Sequence, residues 1–107
     1  MKDLKVIFMG TPEFSVPVLE KLLENTQVVL VVTQPDKPVG RKHMLTPSPV
    51  KKIAMENNIP VFQPEKIRKD FERVLQTPCD ILITCAYGQS IPKEILEYPR
   101  LGCINVH

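Results

Sequence analysis

The chain has 107 residues, enough for one domain or part of one, and 43% of them are hydrophobic, which supplies material for a real core. A net charge of +2 with 24% charged residues excludes the strong basic excess of a dedicated nucleic-acid binder, so any surface for an anionic partner must be local. No apolar run approaches the roughly 18 residues a membrane helix needs, and the short N-terminal run leads into a motif rather than a cleavage site.

Residues 4–9 (LKVIFM) read as a first buried strand, closed by Gly10. Thr11-Pro12-Glu13 then offers a helix start: a capping hydroxyl, proline at the first helical position and an acid near the positive end. Phe14, Val18, Leu19, Leu22 and Leu23 follow at helical spacing, with Pro17 expected to kink the first turns. The single glycine at this turn lacks the G-x-G-x-x-G pattern, and Pro12 removes a donor, so a dinucleotide site is disfavoured.

Residues 28–33 (VVLVVT) are a second strand. The connection after it, residues 34–49, is long for a strand-to-helix loop, and connections of that kind usually run about 2–6 residues. Lys37, Arg41, Lys42, Lys51 and Lys52 punctuate this region without an intervening acid, and His43 lies among them. The two readings are a solvated mobile loop and a local site for a phosphate-rich partner. Ser48-Pro49 opens a second helix, with Val50, Ile53 and Ala54 on one face. Val61-Phe62 suggests a brief extra strand, and Ile67, Phe71, Val74 and Leu75 a third helix. Residues 80–86 (DILITCA) are a further buried strand, residues 92–98 a short helix, and residues 103–106 (CINV) a last strand.

Alternation of strands and helices predicts an α/β fold, a Rossmann-like open, mostly parallel sheet with helices on both faces. Ligands of such sheets bind beyond the carboxyl ends of the strands. Three of the segments there draw attention: the basic loop, the turn from Ala86 to Pro92, and the C-terminal N-x-H. Asn105 and His107 are two apart, so strand alternation aims both to one side of the sheet. An imidazole exchanges a proton near neutral pH, and an amide N–H can donate to an oxygen that becomes negative, which suits acyl transfer to an amine. The plain alternative is a structural histidine. Cys79, Cys85 and Cys103 form no CxxC pair and are odd in number, which points to a reducing, cytoplasmic setting. Their spacing with His107 matches no common zinc pattern, so no metal is expected and small buried thiols are.

Six stretches carry a resemblance: VIFMGTPEFSVPVLEKLL at 6–23, TQPDKPVGR at 33–41, TPSPVK at 46–51, IPVFQPEKIR at 59–68, AYGQSIPKEIL at 86–96 and PRLGCINVH at 99–107. In order and spacing the chain resembles the N-terminal part of the methionyl-tRNA formyltransferase family, over essentially all 107 residues. The resemblance implies a Rossmann-like catalytic domain that takes a formyl group from 10-formyltetrahydrofolate to the α-amine of initiator methionyl-tRNA, in translation initiation. It implies catalytic roles for Asn105 and His107, with Asn105 donating to the formyl oxygen and His107 handling the amine proton. It implies a folate pocket lined by Ala86, Tyr87, Gly88, Gln89, Ser90, Ile91 and Pro92. It further implies tRNA contacts from Arg41 most directly and from Lys42 nearby.

The family pattern also has an Asp further along the chain, and neither Asp70 nor Asp80 sits in that motif. Residues 1–107 are therefore expected to be the first part of the catalytic domain, without its remainder or a C-terminal tRNA-binding domain, and inactive alone. Two other readings stay open. One is a folate-dependent formyltransferase acting on a sugar amine or glycinamide ribonucleotide. The other is a noncatalytic folate- or nucleotide-binding module.

Overall fold

β-Branched and other apolar runs set the strands of the computed structural model, which describes residues 2–107. The strands are β1 (Lys5–Gly10), β2 (Gln27–Val32), β3 (Lys37–Val39), β4 (Met44–Thr46), β5 (Val61–Phe62), β6 (Ile81–Cys85) and β7 (Cys103–Asn105). The helices are α1 (Val16–Asn25), α2 (Pro49–Glu56), α3 (Glu72–Leu75) and α4 (Lys93–Leu96), with one 3₁₀ turn at Glu13–Ser15. Five strands form one sheet in the order β5-β2-β1-β6-β7, every neighbouring pair parallel. The chain starts at the centre, builds outward through β2 and β5, then returns to add β6 and β7 on the other side. The reversal lies between β2 and β6, at the carboxyl end of β1, where α/β sheets open a crevice.

Two apolar layers sandwich the sheet. Ile7, Met9, Leu30, Val32 and Leu82 face one side and pack with Ile67, Val74, Tyr87 and Ile95. Phe8, Val31 and Cys85 face the other and pack with Val16, Leu19, Val50 and Ala54 of α1 and α2. Alternate residues of β1 thus feed opposite cores, as two-sided burial requires. Among the described residues, no helix is long and apolar enough to cross a membrane.

The structure departs from the sequence expectations in several places, each for a physical reason. Thr11 does not cap a helix. Its hydroxyl donates instead to the Tyr87 carbonyl (2.7 Å), tying the β1 turn to the β6 turn. The first helix begins at Val16, which places Pro17 in its first turn, where a missing N–H costs nothing, so no kink follows. Phe14 is 67% exposed and outside the core. Gly10 is the last residue of β1, and a Cβ there would lie 2.9 Å from the Cys85 carbonyl and 2.8 Å from the Phe8 ring. Close strand packing, not turn conformation, accounts for it.

Residues 34–49 are not simply loop. They fold into an antiparallel hairpin, with Lys37 opposite Thr46 and Val39 opposite Met44. Only Glu72–Leu75 of the expected third helix is helical, yet Ile67 is fully buried beside it. The last strand ends at Asn105, one residue earlier than expected, and lies at an edge of this sheet, with Ile104 51% exposed.

Candidate functional site

The carboxyl ends of all five parallel strands meet along one rim, and side-chain amides and hydroxyls stitch their loops together. Ser15 Oγ donates to the Cys85 carbonyl (2.7 Å) in a buried position, fixing the 3₁₀ turn to β6. Gln89 bridges three segments: its Oε1 accepts from the Ile67 N–H (2.7 Å), and its Nε2 donates to Gln34 Oε1 (2.8 Å) and the Pro64 carbonyl (3.2 Å). Gln63 Nε2 donates to Asp36 Oδ1 (2.7 Å), and Lys51 Nζ reaches both Asp36 oxygens (3.0 and 3.2 Å). The Gln63 amide, and then the Lys51 ammonium, hold the Asp36 carboxyl below the usual carboxylate range. Asp36 is the residue just before β3, so this cluster anchors the hairpin to α2 and to the loop after β5.

A groove of about 700 Å³ opens at the β6–β7 side of the rim. Phe14, Ile91, Leu96 and Tyr87 supply apolar wall, while Gln89, Thr84, Asn105 and His107 bring polar groups. Such a volume and mixture suit a small-molecule ligand. Of the segment singled out in the sequence, Ala86, Tyr87, Gly88, Gln89 and Ile91 line the groove. Ser90 instead borders a shallow depression with Glu65 and Arg68, and Pro92 caps α4. Ala86 is held in the left-handed region (φ 51°), and Gly88 has φ +102°. The two carbonyls pinned by Thr11 and Ser15 hold that unusual turn in place. Burial pushes the Tyr87 phenol up to about 12, and its hydroxyl has no hydrogen-bond partner among the described residues.

Asn105 and His107 lie together on the groove. Asn105 Nδ2 is 3.4 Å from His107 Nε2, and Asn105 Oδ1 accepts from Thr84 Oγ1 at 2.8 Å. The amide is thereby oriented with its acceptor spent on β6 and its donor edge toward the imidazole. Thr84 stood unremarked in the apolar run DILITCA. A lone hydroxyl one residue short of the strand end was the only signal, and its meaning depends on the β6–β7 register, in which it faces Asn105. Gln34, Asp36 and Gln63 were likewise not anticipated as a network.

Arg41 and Lys42 project from the hairpin turn, which is closed by a His43 N–H bond to the Gly40 carbonyl (3.2 Å); both are exposed and outside every ion pair among the described residues. Asp80 lies at the opposite end of β6, accepting from the Lys5 N–H (2.9 Å) and from Arg100 (3.0 Å), and so is remote from the rim. Of the cysteines, Cys85 is buried as expected, whereas Cys79 and Cys103 are half-buried and Cys103 lines the groove; burial raises Cys79 to about 11 and Cys103 above its ordinary value. Among the described residues, no group of three or more His, Cys, Asp or Glu is placed to hold a metal ion.

Comparison with known proteins adds a family. The model of the family described as formyl transferase matches residues 4–107. A methionyl-tRNA formyltransferase of Bacillus cytotoxicus is 60% identical over 107 residues, covering 97% of this chain and 34% of that protein. One from Listeria monocytogenes serotype 4a is 59% identical over 105 residues, covering 96% of this chain and 34% of its own length. The chain therefore spans about a third of the length of the curated relatives it matches.

Proposed function

Because the chain belongs to the formyl transferase family, we propose that the protein it comes from transfers a formyl group from 10-formyltetrahydrofolate to the α-amine of initiator methionyl-tRNA. The observation that carries this reading is the Asn105–His107 pair, 3.4 Å apart on the rim groove. The relatives named methionyl-tRNA formyltransferase support it at about 60% identity.

The formyl donor supplies an activated one-carbon unit. Asn105 Nδ2, its orientation set from β6, donates to the formyl oxygen as negative charge gathers there. His107 accepts the proton released as the amine nitrogen bonds to the formyl carbon, and returns it to the donor nitrogen as the bond between that nitrogen and the formyl carbon breaks. The groove walls formed by Tyr87, Ile91 and Leu96 fit a flat heteroaromatic ring, and the Gln89 region offers polar contacts at its margin. Pinning of the Tyr87 and Cys85 carbonyls by Thr11 and Ser15 holds the turn at Ala86 and Gly88 ready to bind, which favours positioning over induced closure.

The hairpin supports a tRNA acceptor in this reading. Arg41 and Lys42 stand exposed on its tip, and Lys37 and Lys52 border a cleft of about 260 Å³ at its base. Clustered cations on a two-stranded arm suit a polyanion better than a single sugar amine. In this reading the protein works in the cytoplasm, where charged tRNA and reduced folate are found. The test is to supply the full-length protein with 10-formyltetrahydrofolate and, in parallel, initiator methionyl-tRNA, a sugar amine nucleotide and glycinamide ribonucleotide. Formylation of the tRNA-bound amine alone supports the assignment. Turnover of either small amine with none of the tRNA defeats it, and folate binding without any transfer points to the noncatalytic module.

A further inference from the structure

We infer that Thr84 is a positioning residue for the reaction: its hydroxyl anchors the Asn105 amide to β6 at the rim of the groove. The inference rests on the reading of Asn105 given above and deepens it.

Thr84 is 7% exposed and sits on β6, directly opposite Asn105 in the parallel ladder. The Val106 N–H donates to the Thr84 carbonyl at 2.8 Å, so the backbones of the two strands are locked at this level. A β-branched side chain on a strand has restricted χ1, which confines where the hydroxyl points. That hydroxyl donates to Asn105 Oδ1 at 2.8 Å and makes no other hydrogen bond among the described residues. An amide has a single acceptor atom and a two-proton donor. With Oδ1 engaged by Thr84, Nδ2 is the group left facing His107 and the open groove. The hydroxyl therefore holds the amide side chain in place before substrate arrives. It sits beside Asn105 in the ladder and acts through it. Nothing in the apolar packing of β6 asks for a hydroxyl here, since the neighbouring strand residues Leu82 and Cys85 are buried in apolar clusters.

The experiment uses the full-length protein with Thr84→Val, Thr84→Ser, Asn105→Ala and the Val/Ala double variant. Steady-state kcat and KM are measured, and single-turnover formyl transfer is followed by acid quench over hours, so that slow variants remain measurable. Valine keeps the shape and strand preference and deletes only the hydroxyl. Thr84→Val should lower kcat about tenfold, the scale on which loss of orientation is felt, with KM for the formyl donor changed less than about twofold. Thr84→Ser should restore the rate. In the Asn105→Ala background, Thr84→Val should have no further effect. If valine is not tolerated, Thr84→Ala makes the same deletion. A Thr84→Val protein with full kcat overturns the inference, as does an equal loss in both backgrounds or a tenfold loss in Thr84→Ser. If Asn105→Ala itself keeps full activity, the catalytic reading falls and takes this inference with it. If Asn105→Ala is impaired and Thr84→Val is not, only this inference falls.

Discussion

Replacing Gly88 with alanine probes the rim network at its tightest point. Gly88 has φ +102°, and a Cβ there would lie 2.6 Å from Gln34 Nε2. Two costs add. The backbone angle strains any residue with a side chain by about 1–3 kcal/mol. The methyl group also pushes on Gln34 Nε2, the end of a flexible side chain, and loosens its 2.8 Å bond with Gln89, a loss of up to about 1 kcal/mol. Gly102 is a built-in control: it has φ +85°, and nothing lies within 4 Å of its added Cβ. Gly102→Ala pays strain alone. Urea denaturation followed by far-UV circular dichroism gives both values from the midpoint shift and the slope. Gly88→Ala should be the more costly by about 0.5–1 kcal/mol. It should also weaken binding of a folate analogue, because the wall beside Gln89 moves. Equal costs for the two substitutions would refute the claim that the Gln34 contact excludes a side chain at Gly88.

Arg41→Ala and Lys42→Ala should leave stability within about 0.5 kcal/mol, since both are exposed and outside any ion pair. Each should weaken tRNA binding and reduce its salt dependence by about one unit of slope, measured by filter binding across ionic strengths. The depressed Asp36 carboxyl makes stability pH-dependent. A carboxyl held low in the fold binds protons more readily when unfolded, so its contribution is present above the unfolded value of about 3.9 and is lost as pH falls through the folded one. Asp36→Asn should therefore flatten the acid limb of stability in denaturation run from pH 6 downward, and an unchanged limb would count against the Gln63–Asp36–Lys51 cluster. With Cys79 at about 11, Cys103 raised and Cys85 buried, thiol titration near neutral pH should be slow in the folded protein and fast in denaturant.

The features that depend on side-chain period were legible in the sequence. Continuous apolar runs marked β1, β2 and β6, and the two-residue step from Asn105 to His107 placed both on one side of the sheet. Features that depend on distant partners were not. Thr11 has the profile of a helix cap, yet its hydroxyl is drawn to the Tyr87 carbonyl, 76 residues away. The spacing of Ile67, Phe71 and Val74 reported burial against the sheet, which a short turn achieves as well as a helix does. The hairpin escaped notice because three-residue strands containing Pro38 give no alternation to read. Thr84 gained its meaning only from a register that pairs it with Asn105.

The central claim is that Asn105 and His107 act on the formyl group. Single-turnover transfer to initiator methionyl-tRNA by the full-length protein tests it most directly, with Asn105→Ala and His107→Ala each compared with the unaltered protein. The account predicts a fall of about 10²-fold or more in the transfer step for each variant, with binding of a folate analogue largely retained. Transfer at the unaltered rate by either variant would contradict it.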